Sequence, residues 1–157
     1  MIDIEIEDEG WTAALPDAAA VALAAAEAAL AGLPEGLDGP VDVAVLLTDD
    51  ETVAELNERF RGKAGPTNVL SFPAPDNPQA HLGDIALALG VCLREADEQA
   101  KPLKHHLQHL VVHGVLHLVG YDHMTDAEAV EMEGLERVVL AGLGTPDPYA
   151  VEQGDHG

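Results

Sequence analysis

Eleven residues in the second half of the chain, His113-Gly114-Val115-Leu116-His117-Leu118-Val119-Gly120-Tyr121-Asp122-His123, limit its possible folds more than any other stretch. Residues four apart on a helix share a face, so His113 and His117 present their imidazoles in one direction. A third imidazole can join them only if the chain reverses after the helix. Gly120 permits that reversal, because glycine takes positive φ without strain, and His123 then returns toward the pair. Three neutral imidazoles suit zinc, one ion per chain, and three protein ligands leave a fourth position open, as in catalytic sites. Nickel or copper would bind such a set as well. The competing reading is that His113 and His117 are ordinary helix histidines. The glycine turn and the third histidine weigh against it. His109, four residues before His113, is an alternative ligand, while His105 and His106 are expected to be solvated.

The spacing matches the metzincin protease pattern H-E-x-x-H-x-x-G-x-x-H at all three histidines and at the glycine. It departs where that pattern places its general base, since position 114 is Gly114. Peptide cleavage is therefore not expected. Three neutral histidines also leave the full charge of the ion facing the substrate, which favours an anion such as a phosphodiester.

Around this stretch the chain reads as one domain over residues 1–144 with a flexible C-terminal tail over 145–157. Ile2, Ile4 and Ile6 alternate with acidic residues, the period of a half-buried strand. The Ala-rich run from Pro16 to Ala31 predicts a helix, and Val41 to Leu47 a second strand. Thr48 and Glu51 read as a capping box opening a helix with Val53, Leu56 and Phe60 on one face. Residues 61–67 form a Gly/Pro loop, followed by strands at Val69 to Phe72 and Ile85 to Leu89. Helices are expected over Val91 to Ala100 and Pro102 to Val119. A last helix starts from a Thr125/Glu128 capping box and runs to about Ala141. The order β-α-β-α-β-β-α-α-α predicts an α/β (α+β) domain with a mixed four-stranded sheet packed with helices. The metal site falls on a helix of the C-terminal half and the turn after it.

Composition narrows the function classes. The formal net charge is −22, which by itself argues against a phosphate-rich partner. Of the seven cations, however, Arg59, Arg61 and Lys63 are clustered, so one basic loop on an acidic body can still hold an anion. No cationic region precedes Arg59, and the Ala-rich run carries Glu27. Neither a signal peptide nor a membrane span is expected. Cys92, the only cysteine, excludes an internal disulfide and reads as a small buried hydrophobe; a cytoplasmic location is expected. Ser71 has no triad partners in the sequence and reads as structural.

The run 113–123 resembles the signature of the YbeY endoribonucleases. Two further segments are similar to that family: Leu56-Asn57-x-x-Phe60-Arg61-Gly62-Lys63 with Pro66-Thr67-Asn68-Val69-Leu70-Ser71-Phe72-Pro73, and Leu82-Gly83-Asp84-Ile85. The resemblance implies a metal-dependent single-strand endoribonuclease acting in 16S rRNA 3′-end maturation and ribosome quality control. It implies a catalytic zinc on His113, His117 and His123, and Arg61 as the catalytic arginine. Single-stranded rRNA, the small ribosomal subunit and its assembly factors are the implied partners. A guanidinium at 61 can bridge two phosphoryl oxygens and stabilise developing charge. Outside the motif it would read as a surface cation or a carboxylate's partner. Lys63 is expected to contact phosphate. Asp122 either orients a ligand imidazole from behind or caps the turn. The family pattern usually places an acidic residue where this chain has Ala64. A different class of function, a ribosome assembly or docking factor with a structural zinc, and a hydrolase of some other small anion are the alternatives.

Overall fold

The computed structural model describes residues 1–34, 41–75, 80–122 and 124–149. Chain alternation dictates its centre. In β1 (Ile2–Ile6) the isoleucines turn to one side while Asp3 and Glu5 stay exposed. In β2 (Asp42–Thr48) Val43, Val45 and Leu47 are buried on that same side. These strands join β4 (His81–Ala88) and β3 (Val69–Pro73) in one sheet of order β1-β2-β4-β3. β1, β2 and β4 are parallel and β3 is antiparallel to β4. A mixed four-stranded sheet in a single α+β domain is thus what the chain forms.

The main core lies on the face that carries Ile4, Val45 and Ile85. It is closed by α2 (Ala18–Ala31), α5 (Leu103–Leu118) and α6 (Asp126–Gly142). Ala22, Ala25, Ala26 and Ala29 are fully buried, and their small side chains let α2 approach closely. The opposite face holds a smaller cluster, in which Leu70, Ala86 and Ala88 meet Val53 of α3 (Asp50–Arg61). α4 (Leu89–Glu98) follows β4 directly.

Four local expectations need correction. A short helix, α1 (Gly10–Ala14), precedes α2; it buries Trp11, whose indole N–H donates to the Thr48 carbonyl at 2.9 Å. Thr48 is not the cap of α3, because it continues the β2 ladder opposite Ala88. Asp49 caps instead, its carboxylate accepting from the Thr52 N–H at 2.7 Å. β4 begins at His81 and ends at Ala88, so Leu89 belongs to α4. His106 is not solvated: it is buried and hydrogen-bonded to Glu95 at 2.8 Å. The Thr125/Glu128 capping box forms in full at the start of α6. Cys92 is buried.

Thr145 starts the segment expected to hang loosely, yet it is buried, and its hydroxyl meets the Gln108 carboxamide. Arg137 pairs with Asp147 at 3.1 Å, and Tyr149 reaches back to α6. Residues 150–157 lie outside the described residues.

Candidate metal centre and the groove across the sheet

α5 ends where the sequence requires. Gly120 has φ of 102°. The Tyr121 N–H bonds to the Leu116 carbonyl at 3.0 Å and the Gly120 N–H to that of His117 at 3.1 Å, a Schellman closure that turns the chain sharply. Just before this turn His113 and His117 bring their Nε2 atoms to 3.0 Å, with ring centroids 4.5 Å apart. Ligand nitrogens ~2.0–2.1 Å from a tetrahedral zinc would lie about 3.3 Å apart, so the pair fits such an ion. His117 also sits in the last turn of α5, where the partial negative charge of the helix end favours a cation. His123 lies outside the described residues. Among the described residues no three His, Cys, Asp or Glu side chains are placed to hold an ion together.

Gly114 shows why the protease glutamate has no place here. A Cβ at this position would stand 3.0 Å from Ile85 Cγ2 and 3.2 Å from Ser71 Oγ. Position 114 therefore faces the sheet rather than the metal side, and any side chain there would press on Ile85 and Ser71 where α5 lies against β3 and β4. Ser71 donates to the Gly114 carbonyl at 3.2 Å.

Behind the pair lies a residue the sequence reading missed. Glu136 of α6 is fully buried, with Oε1 2.9 Å from His109 Nε2 and 3.4 Å from His113 Nδ1. The Tyr149 hydroxyl donates to the same carboxylate at 2.9 Å. Burial raises the pKa of Glu136, but the hydrogen bonds from His109 and His113 outweigh it and bring the carboxyl down to about 2. His109, the alternative ligand, spends its Nε2 on this carboxylate. The available signal was positional: Glu136 shares the apolar face of α6 with Met132, Val139 and Leu140, an unusual place for a carboxylate in a helix rich in exposed ones.

Arg61 and Lys63 stand elsewhere. Arg61 is the last residue of α3, which packs on the face of the sheet opposite α5. Gly62, at φ of 66°, ends that helix, and Asn57 holds the loop by donating to the Gly65 carbonyl at 2.9 Å. Both cations are exposed. Arg61 borders a groove of about 1230 Å³, with Leu56, Phe60 and Phe72 on its apolar wall and Asp3, Glu5 and Asp84 among its lining. No contact among the described residues joins Arg61 or Lys63 to the histidine pair. Asp122 is half-buried beside the Gly120 turn.

With this geometry in view, known proteins are informative. The family model for endoribonuclease YbeY matches residues 5–144. The chain belongs to the YbeY endoribonuclease family. An endoribonuclease YbeY of Azorhizobium caulinodans is 51% identical, with 96% of each chain covered. One of Maricaulis maris is 50% identical, covering 96% of this chain and 92% of that one. Among solved structures, the solution structure of TM1509 from Thermotoga maritima superposes with a TM-score of 0.57 at 27% identity, covering 91% of each chain. YbeY membership thus agrees with the α+β fold. No helix among the described residues is long and apolar enough to cross a membrane.

Proposed function

We propose that the protein is a zinc-dependent endoribonuclease that cuts single-stranded RNA in 16S rRNA 3′-end maturation and ribosome quality control, in the cytoplasm. The observation that carries this reading is the convergence of His113 and His117 Nε2 atoms at 3.0 Å beside the Gly120 turn, in a chain of the YbeY family. His113, His117 and His123 would hold the ion. When bound, zinc supplies Lewis acidity and acidifies water near neutral pH.

The remaining work falls to the chain itself. The Arg61 guanidinium offers two parallel N–H donors to phosphoryl oxygens, and its positive charge strengthens as an anchor when charge builds up during displacement. Lys63, two residues on, adds a phosphate contact. Phe60 is 61% exposed and meets Phe72 edge-on at 5.4 Å; an unpaired base can stack on such a ring, whereas a base inside a duplex cannot. Gly114 leaves no carboxylate at the position of the protease base, which sets this chemistry apart from peptide cleavage.

Two observations favour a second reading, a ribosome assembly or docking factor with a structural zinc and little turnover. The groove at Arg61 is also lined by Asp3, Glu5 and Asp84, and the chain carries a net charge of −22. Carboxylates there repel phosphate and suit a basic protein segment. The deciding experiment is elemental analysis of untagged wild type and His117→Ala, followed by cleavage of single-stranded RNA by wild type and Arg61→Ala. About one zinc per chain, lost in His117→Ala, with cleavage abolished in Arg61→Ala at full zinc content, supports the nuclease. Full cleavage by Arg61→Ala removes that residue from catalysis. A stoichiometric effect on pre-rRNA processing that survives loss of the metal supports the assembly reading.

A further inference from the structure

We infer that Glu136 is a positioning residue for the metal ligand His113, and that the segment after α6 completes the site by holding Glu136 through Tyr149. The inference rests on the zinc reading above and extends it to residues that do not touch the ion. Its basis is the geometry of a fully buried carboxylate among three donors. Oε1 lies 2.9 Å from His109 Nε2, 3.4 Å from His113 Nδ1 and 2.9 Å from the Tyr149 hydroxyl, which is also 3.1 Å from Oε2.

A buried charge is tolerated when it is hydrogen-bonded, as this carboxylate is by His109 and Tyr149. Its effect on His113 is directional. A carboxylate at Nδ1 keeps the proton on that nitrogen, which leaves the lone pair on Nε2, the atom that faces His117. The same contact limits rotation of the ring. Partners of this kind behind a ligating histidine typically change metal affinity by ~10–100-fold.

Tyr149 is what makes the arrangement rigid. Its ring meets that of His109 edge-on at 5.5 Å and carries the Arg137 guanidinium at 5.0 Å. Arg137 in turn holds Asp147, whose carboxylate accepts from the Tyr149 N–H at 2.8 Å. Burial and then the Glu136 charge hold the Tyr149 phenol well above its ordinary range, so it stays a donor. Residues 145–149 thus act as a strap across the back of the histidine pair. His109 serves the strap rather than the metal.

The test measures zinc affinity by competition with a chromophoric chelator, on wild type, Glu136→Gln, Tyr149→Phe and His117→Ala. It is paired with nitrogen-15 spectra of the histidine rings in metal-free protein. Glu136→Gln should bind zinc ~10–100-fold more weakly and shift the His113 ring away from the Nδ1–H tautomer. Tyr149→Phe, which removes one hydroxyl and keeps the ring, should weaken zinc by a smaller factor while the fold persists. Wild-type affinity and an unchanged His113 tautomer in both folded variants would overturn the inference and leave the zinc reading intact. If wild type takes up no zinc, and so matches His117→Ala, the metal reading fails and this inference falls with it.

Discussion

The two faces of the sheet present opposite kinds of surface. On the α5 side the histidine pair is backed by a polar network in which the buried Glu136 carboxylate is hydrogen-bonded to the half-buried His109 and Tyr149. On the α3 side Arg61, at the end of the helix, and Lys63, just past the Gly62 cap, are exposed beside an open groove. A metal ligand set needs fixed directions, because an ion tolerates little error in ligand distance. A guanidinium that meets a flexible polynucleotide can take its final geometry from the substrate, at the cost of ordering its side chain on binding. Substitutions should therefore behave differently on the two sides: changes beside α5 should affect metal or fold, and changes at the Arg61 loop should affect turnover alone.

The sharpest way to break that contrast is His117→Ala. Complete loss of bound zinc and of RNA cleavage is expected, with elemental analysis and a cleavage assay as the readouts. Arg61→Ala comes next. Cleavage should fall by ~10²–10³-fold, the loss typical of one donor to a developing charge. Stability should change by no more than ~0.5 kcal/mol, as for other exposed side chains, measured by urea unfolding beside single-turnover cleavage. If Arg61→Ala also released zinc, the two faces would not be separable.

Gly114→Glu tests whether the protease base can be restored. The new side chain would have to enter between Ile85 and Ser71. Destabilisation of about 3 kcal/mol or more is expected for an unpaired buried carboxylate, with no peptidase activity gained. A stable variant that cleaves peptides would show that position 114 can reach the metal side after all.

The smallest effect is on the α3 side. Asp49→Ala should cost ~1 kcal/mol as a lost helix cap. Hydrogen bonds from Thr52 hold the Asp49 carboxyl below its ordinary value of 3.8. Its contribution is therefore fully present above pH 3.8 and is lost as pH falls through the lower folded value. Wild type and Asp49→Ala should converge in stability in strong acid and differ at neutral pH, as read from urea midpoints. A gap that persists below that window would mean the cap acts without its charge.

Much of this molecule was legible locally. The period of two in Ile2, Ile4 and Ile6, the capping box at Thr125, the reversal at Gly120 and the four-residue spacing of His113 and His117 are all short-range patterns. Each is fixed by backbone geometry within a turn or two. Membership of the YbeY family was legible in the same way, in motifs a few residues long. Errors arose where long-range packing competed with local preference. Thr48 has a good capping side chain, but the β4 ladder claims it as a strand residue. His106 is one of several histidines in a row, and only the approach of α4 decides that it is buried against Glu95.

The sequence by itself therefore determined the helix, its turn and the direction of two imidazoles. Only the tertiary structure decided what stands behind them. Glu136, 23 positions after His113, and Tyr149, 13 beyond Glu136, meet at that point because α6 folds back along α5. A carboxylate at the centre of a core has no local signature beyond falling on an apolar face. Its partners are chosen by packing across the chain.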